Sequence, residues 1–140
     1  MSKVAVVFWS GNGNTQAMAD AVVEGAQAKG ADVTVFEAYK FGPEQVPDFD
    51  GIAFGCPAMG SEVLEEDEFE PMFSSVEGSI SGKKVALFGS YGWGDGTWMR
   101  DWEDRCAASG ISLATESVMA NDTPGAQELD ACRALGAALC

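Results

Sequence analysis

The chain has 140 residues, 46% of them hydrophobic, which suffices for one core in one ordinary domain. Eight Lys and Arg against 22 Asp and Glu give a formal net charge of −14, and with no basic run to meet phosphates a nucleic-acid partner is excluded. The absence of histidine removes the commonest general base, the commonest transition-metal ligand and the Ser-His and Cys-His nucleophile pairs, and most hydrolase chemistry goes with them.

In chain order, the six apolar residues Val4 to Trp9 read as a first strand. They are too few for a secretory h-region, and nowhere do about 18 apolar residues run together, so a soluble protein without a membrane partner is expected. Met18, Val22 and Ala26, flanked by Ala19 and Val23, give one apolar helix face ending near Gly30. Val33 to Phe36 is a second strand, Tyr39 to Asp50 shows no helical face and reads as mostly loop, and Gly51 to Gly55 is a third strand. Phe69, Phe73 and Val76 predict a second helix with Pro71 in its first turn, starting near an acidic run that complements a helix N-terminus. Val85 to Gly89 is a fourth strand, and Trp98, Trp102 and Cys106 mark a third helix. A less regular fifth strand runs roughly from Ser112 to Met119. Leu129, Leu135 and Leu139 mark a last helix, with Asp122-Thr123-Pro124 as cap candidates and N1 proline.

Apart from the fifth, the apolar runs are plain, as in buried parallel strands. Their alternation with helical stretches predicts an α/β domain, a five-stranded doubly wound sandwich whose ligands bind at the carboxyl edge of the sheet. Cys56, Cys106, Cys132 and Cys140 form no C-x-x-C pair, which argues against zinc or iron–sulfur ligation and for free thiols in a cytoplasmic protein. Cys56, at a strand end before Pro57, reads as a packed thiol.

Three loops at the expected carboxyl edge carry the chemistry. Ser10, Gly11, Asn12, Gly13, Asn14 and Thr15 follow the first strand and open the first helix without a cation. Two glycines let backbone N–H groups converge at a positive helix end, and hydroxyls and amides add donors, so a phosphate suits the cradle. A P-loop would need Gly-Lys-Ser/Thr here, and a dinucleotide fold a third glycine where Gln16 stands. After the third strand, Pro57, Ala58, Met59, Gly60, Ser61 and Glu62 present a thioether, a flexible glycine and a carboxylate. After the fourth, Ser90, Tyr91, Gly92, Trp93 and Gly94 place two large aromatics among glycines, so that the indole can stack on a planar ligand. Singly, the first loop could be a polar helix cap and Trp93 a lid on the core.

Together the loops resemble those of the short-chain flavodoxins, above all in Ser-Gly-Asn-Gly-Asn-Thr at 10 to 15, Cys-Pro-Ala-Met-Gly-Ser-Glu at 56 to 62 and Gly-Ser-Tyr-Gly-Trp-Gly at 89 to 94. Asn12 departs from the threonine common in that family. The resemblance covers essentially the whole chain and implies the flavodoxin-like fold, with a parallel sheet in the order 2-1-3-4-5. It further implies non-covalently bound FMN and a low-potential electron carrier, not an enzyme, cycling mainly between semiquinone and hydroquinone. In such a protein the 10 to 15 loop would bind the phosphate. Trp93 and Met59 would cover the two ring faces, and Glu62 would accept from the flavin N3–H. Backbone from Ala58 to Gly60 and around Ser90 to Gly92 would meet the ring edge, and the peptide after Gly60 would reorient on one-electron reduction.

The acidic residues Glu65, Glu66, Asp67, Glu68 and Glu70 beside this site suggest steering of basic-surfaced redox partners towards a monomeric carrier. A flavin-dependent quinone reductase of related fold would need a second substrate pocket that the chain does not mark out. A phosphoacceptor domain would need aspartates where Ser10 and Cys56-Pro57 stand, and a phosphatase a Cys-x5-Arg loop after the first strand.

Overall fold

Five parallel strands form one sheet in the order β2-β1-β3-β4-β5, in a computed structural model that describes residues 2–11, 13–60, 62–92 and 94–140. The strands are β1 (Lys3–Phe8), β2 (Asp32–Glu37), β3 (Gly51–Gly55), β4 (Lys84–Tyr91) and β5 (Val118–Asn121). The helices are α1 (Asn14–Ala28), α2 (Phe69–Val76), α3 (Thr97–Ala108) and α4 (Ala126–Ala138). Successive side chains of a strand point to opposite faces. Val4, Val6 and Phe8 therefore pack with Met18, Val22 and Ala26 of α1 and Cys132 and Leu135 of α4, while Ala5 and Val7 join the layer of α2 and α3. Where α1 and α4 meet, a Cβ on Gly25 would overlap the Arg133 carbonyl and one on Gly136 that of Val22, so only glycine permits this approach. The strand order reverses between β1 and β3, which opens a crevice at their carboxyl ends.

The second strand is not buried as its apolar run suggested. It lies at the sheet edge, and Val35 is 48% exposed. The fourth runs through Ser90 and Tyr91, because β5 offers these two residues partners in Ala120 and Asn121. The fifth is broken. Leu113 bridges Val85 and Val118 pairs with Phe88, so four residues of the outer chain (114–117) stand opposite two of β4 (86 and 87) and the excess leaves the ladder.

The stretch from Tyr39 to Asp50 contains a 3-10 turn at Val46–Asp48, following another at Ala38–Lys40, and its Phe41, Val46 and Phe49 enter the core. The last helix does not start on Pro124. Glu128 Oε1 accepts from the Gly125 N–H at 2.8 Å and sets the start at Ala126, while Asp122 turns the chain at a φ of 57°. Leu129 is only partly buried there, and the inward face is Cys132, Leu135, Gly136 and Leu139. The other helices follow the sequence pattern: Pro71 lies in the first turn of α2, and Trp98, Trp102 and Cys106 all point inward.

Candidate functional site

The carboxyl ends of β1, β3 and β4 bring the three loops together. Gly13, at a φ of 89°, turns the chain into α1, and Ser10 Oγ closes the turn by accepting the N–H groups of Gly13 (3.1 Å) and Gln16 (3.3 Å). A serine hydroxyl that accepts twice still has its proton to donate. Thr15 is buried with its Oγ1 3.0 Å from Ser90 Oγ, which ties this loop to the end of β4. One of the two hydroxyls donates to the other, so the pair keeps one proton to offer elsewhere. Gly11 and Gly13 are exposed and Ser10 and Asn14 half-buried. With no Lys or Arg between positions 10 and 15, the loop itself offers an anion N–H and O–H dipoles and the helix N-terminus rather than a cation.

The second loop extends the sheet through Ala58, whose N–H donates to Ser90 O at 3.0 Å. It then closes a turn in which the Glu62 N–H donates to Met59 O at 2.8 Å and the Met59 N–H to Val63 O at 3.0 Å. Pro57, Ala58 and Met59 are half-buried, and Gly60 is exposed with nothing within 4 Å of where a Cβ would stand. Glu62 sits at a φ of 54°, in the left-handed region that a non-glycine residue occupies only at a cost. Its Oε1 is buried without a protein partner, and it lies where a Cβ on Gly94 would collide with it.

In the third loop Ser90 is buried, Tyr91 half-buried, and Gly92 and Gly94 exposed. The Tyr91 ring packs on Trp98 at 5.4 Å, and its carbonyl accepts the Asp122 N–H at 2.7 Å, so its side chain serves the core rather than the mouth of the site. Asn12 and Trp93, both expected in the site, lie outside the described residues.

Beneath the loops lies a scaffold of longer-range contacts. Trp98 Nε1 donates to Cys56 O at 3.2 Å, and the Glu65 N–H reaches Cys56 Sγ at 3.3 Å. Burial pushes the Cys56 thiol far up, which keeps it protonated and inert. Of the five acidic residues read as a surface patch, two have internal partners. Glu65 is 5% exposed and accepts the N–H groups of Asp67, Glu68 and Phe69 at 2.7–2.8 Å. Glu70 pairs with Arg105 at 2.7 Å, beside Glu77 at 3.0 Å, so this arginine clamps α2 and its following turn to α3. The Arg105 hydrogen bonds hold both carboxyls below their usual range. Glu66, Asp67 and Glu68 remain exposed.

Two small clefts border the loops, one of about 120 Å³ against Trp9 and Ser10 and one of about 140 Å³ against Glu62. A larger groove, about 440 Å³, runs between β5 and α4 and touches none of the three loops. The crevice at the strand reversal outweighs it as a site, because the unpaired carboxylate and the anion cradle converge there.

A doubly wound 2-1-3-4-5 sheet with a cation-free glycine cradle at its switch point defines a mononucleotide-binding α/β protein. Residues 6–136 match the family model described as flavodoxin. A flavodoxin of Clostridium beijerinckii is 44% identical over 125 residues, covering 89% of this chain and 91% of that protein. One of Megasphaera elsdenii is 45% identical over 132 residues, covering 90% and 94%. The solution structure of the two-electron reduced M. elsdenii flavodoxin superposes with a TM-score of 0.88 at 42% identity, with 97% of each chain covered. The chain belongs to the flavodoxin family: it is an electron carrier, and its cofactor is FMN. Among the described residues no helix is long and apolar enough to cross a membrane.

Proposed function

We propose that the chain is a single FMN-binding domain that passes single electrons between redox proteins, working mainly at the more reducing of its two one-electron steps. The observation that carries the assignment of the ring site is Glu62 Oε1, a buried carboxylate oxygen with no protein partner, facing the gap between the second and third loops. An unpaired buried acceptor is costly, and a ring N–H is the donor it lacks. The phosphate falls to Ser10, Gly11, Asn12, Gly13, Asn14 and Thr15, where the remaining hydroxyl protons of Ser10 and of the Thr15–Ser90 pair serve as donors. Charge-assisted bonds of this kind are about twice as strong as neutral ones, so a dianion needs no salt bridge here. Met59 and Trp93 cover the ring faces. Pro57, Ala58, Gly60, Ser90, Tyr91, Gly92 and Gly94 supply the surrounding edge, Tyr91 through its backbone.

Bound FMN supplies reversible one-electron chemistry in two steps. The protein's part is to make those steps unequal. Its net charge of −14 opposes further negative charge at the site. Each carboxylate ~12 Å away contributes roughly 0.3 kcal/mol in a water-like medium, and several add ~1–2 kcal/mol before screening. The exposed Glu66, Asp67 and Glu68 beside the loops support docking of basic-surfaced partners. Four free thiols support a cytoplasmic setting, and we assign a monomer. Stepwise anaerobic reduction with spectra recorded throughout tests the reading: three distinct absorbing states are expected, and one direct two-electron transition refutes it.

A further inference from the structure

Among the described residues two buried side-chain atoms lack a protein partner, Glu62 Oε1 and the indole Nε1 of Trp102. Both residues line the 140 Å³ cleft between the turn at 62–64 and α3. The carboxylate only accepts and the indole only donates. The other side-chain donors lining the cleft already have protein partners. Trp98 Nε1 gives its proton to Cys56 O, and Arg105 is engaged by Glu70, Glu77 and Ser74. Asp101, on the same wall, carries the same sign of charge as Glu62. Trp102 Nε1 is thus the buried side-chain donor of this cleft that has no partner.

The indole is held rigidly. It is 2% exposed and packs edge-on against Phe69 at 5.4 Å and Phe73 at 5.7 Å. Glu62, in contrast, is a long side chain on a turn with a left-handed backbone, and holding its carboxylate in one place costs rotamer entropy unless something anchors it. A water needs about 10–15 Å³ and two to four polar partners; the cleft has the room, and both Glu62 and Trp102 line it.

We propose that this cleft is a specific hydration site: its water takes the Trp102 Nε1–H and donates to Glu62 Oε1, which makes Trp102 a positioning residue for the carboxylate that reads the flavin ring. A carboxylate oxygen has two lone pairs, so the bridged Oε1 keeps a place for the ring N–H. The proposal rests on the assignment of Glu62 to the ring.

The test uses the full chain and riboflavin, which lacks the phosphate and therefore reports ring recognition alone. Benzothienylalanine placed site-specifically at position 102 keeps the indole shape and removes only the N–H. It is expected to weaken riboflavin binding about fivefold, and to change nothing in a Glu62→Ala background; Trp102→Phe is the second variant. A merely structural tryptophan would weaken binding equally in both backgrounds, which overturns the proposal. Unchanged riboflavin affinity on loss of the N–H, with Glu62→Ala still weakening it, overturns the bridge and leaves the Glu62 assignment standing. Glu62→Ala without effect on riboflavin overturns both. In the flavin-free wild type, a nuclear Overhauser contact between the Trp102 indole proton and a long-lived water is expected, and its absence also refutes the bridge.

Discussion

Glu65→Ala strands three backbone donors at the start of α2. The Phe69 N–H is buried and loses its acceptor outright, which costs ~1–3 kcal/mol, while the N–H groups of Asp67 and Glu68 are partly buried and reach water, at ~0.5–1 kcal/mol each. Loss of the negative charge at the helix N-terminus is contained in the same bonds, so the sum is about 3 kcal/mol. With a urea slope of about 2 kcal/mol/M, the unfolding midpoint should fall by roughly 1.5 M.

Acid should reproduce part of this in the wild type. Burial alone would raise the Glu65 carboxyl, but the N–H groups of Phe69, Glu68 and Asp67 outweigh it and the net shift is downward. A group whose pKa is lower folded than unfolded stabilises above its unfolded value, ~4.3, and loses that contribution as pH falls through the folded one. The gap between wild type and variant should therefore be full at pH 7 and narrow below about pH 4. Urea melts at pH 7 and pH 3 measure it. A gap under about 0.5 kcal/mol at pH 7, or one of equal size at both pH values, would refute the account of Glu65 as an ionised helix cap.

Gly60→Ala should leave the melting temperature of the flavin-free protein unchanged or slightly raised, since a Cβ there meets nothing. The same variant should lower the first one-electron potential by ~40 mV, the equivalent of one hydrogen bond of ~1 kcal/mol, if the following peptide must reorient; potentiometry decides. Gly94→Ala forces a side chain into a φ of 88° and against Glu62 Oε1, so riboflavin affinity should fall about tenfold as the carboxylate is displaced. Ser10→Ala should weaken FMN several-fold and riboflavin hardly at all, because its hydroxyl serves the phosphate loop; the ratio of the two dissociation constants is the readout. Electron transfer to a basic partner should slow as salt rises, and Gln at Glu66, Asp67 and Glu68 together should flatten that dependence in stopped-flow traces.

The elements that announced themselves are those whose signal is local. Val4 to Phe8 and Gly51 to Gly55 are continuous apolar runs because a central parallel strand is covered on both faces, and α1 and α3 show their buried stripes at helical spacing. The glycine-rich loops were legible for the same reason: a cation-free cradle at a strand-to-helix junction is a feature of a few adjacent residues. A helix start near the acidic run was also visible, though not which of its carboxylates caps the helix.

Other features depend on what stands opposite. Val33 to Phe36 reads as a buried strand but lies at an edge, because its neighbours, not its residues, determine its cover. Ser90 and Tyr91 belong to β4 only because β5 brings Ala120 and Asn121 alongside. Glu65 is polar in sequence and buried in space, since three N–H groups at the entry to the next helix replace its water. Arg105 finds Glu70 and Glu77 on the neighbouring helix and the turn after it, and Trp102 shares a cleft with Glu62, forty residues away. Composition and period could declare the strands, the helices and the phosphate cradle, for these follow from neighbours along the chain. Which polar groups are paired, and which are left open for a cofactor, is decided only when distant segments pack, because burial and hydrogen bonding are properties of what lies across the gap.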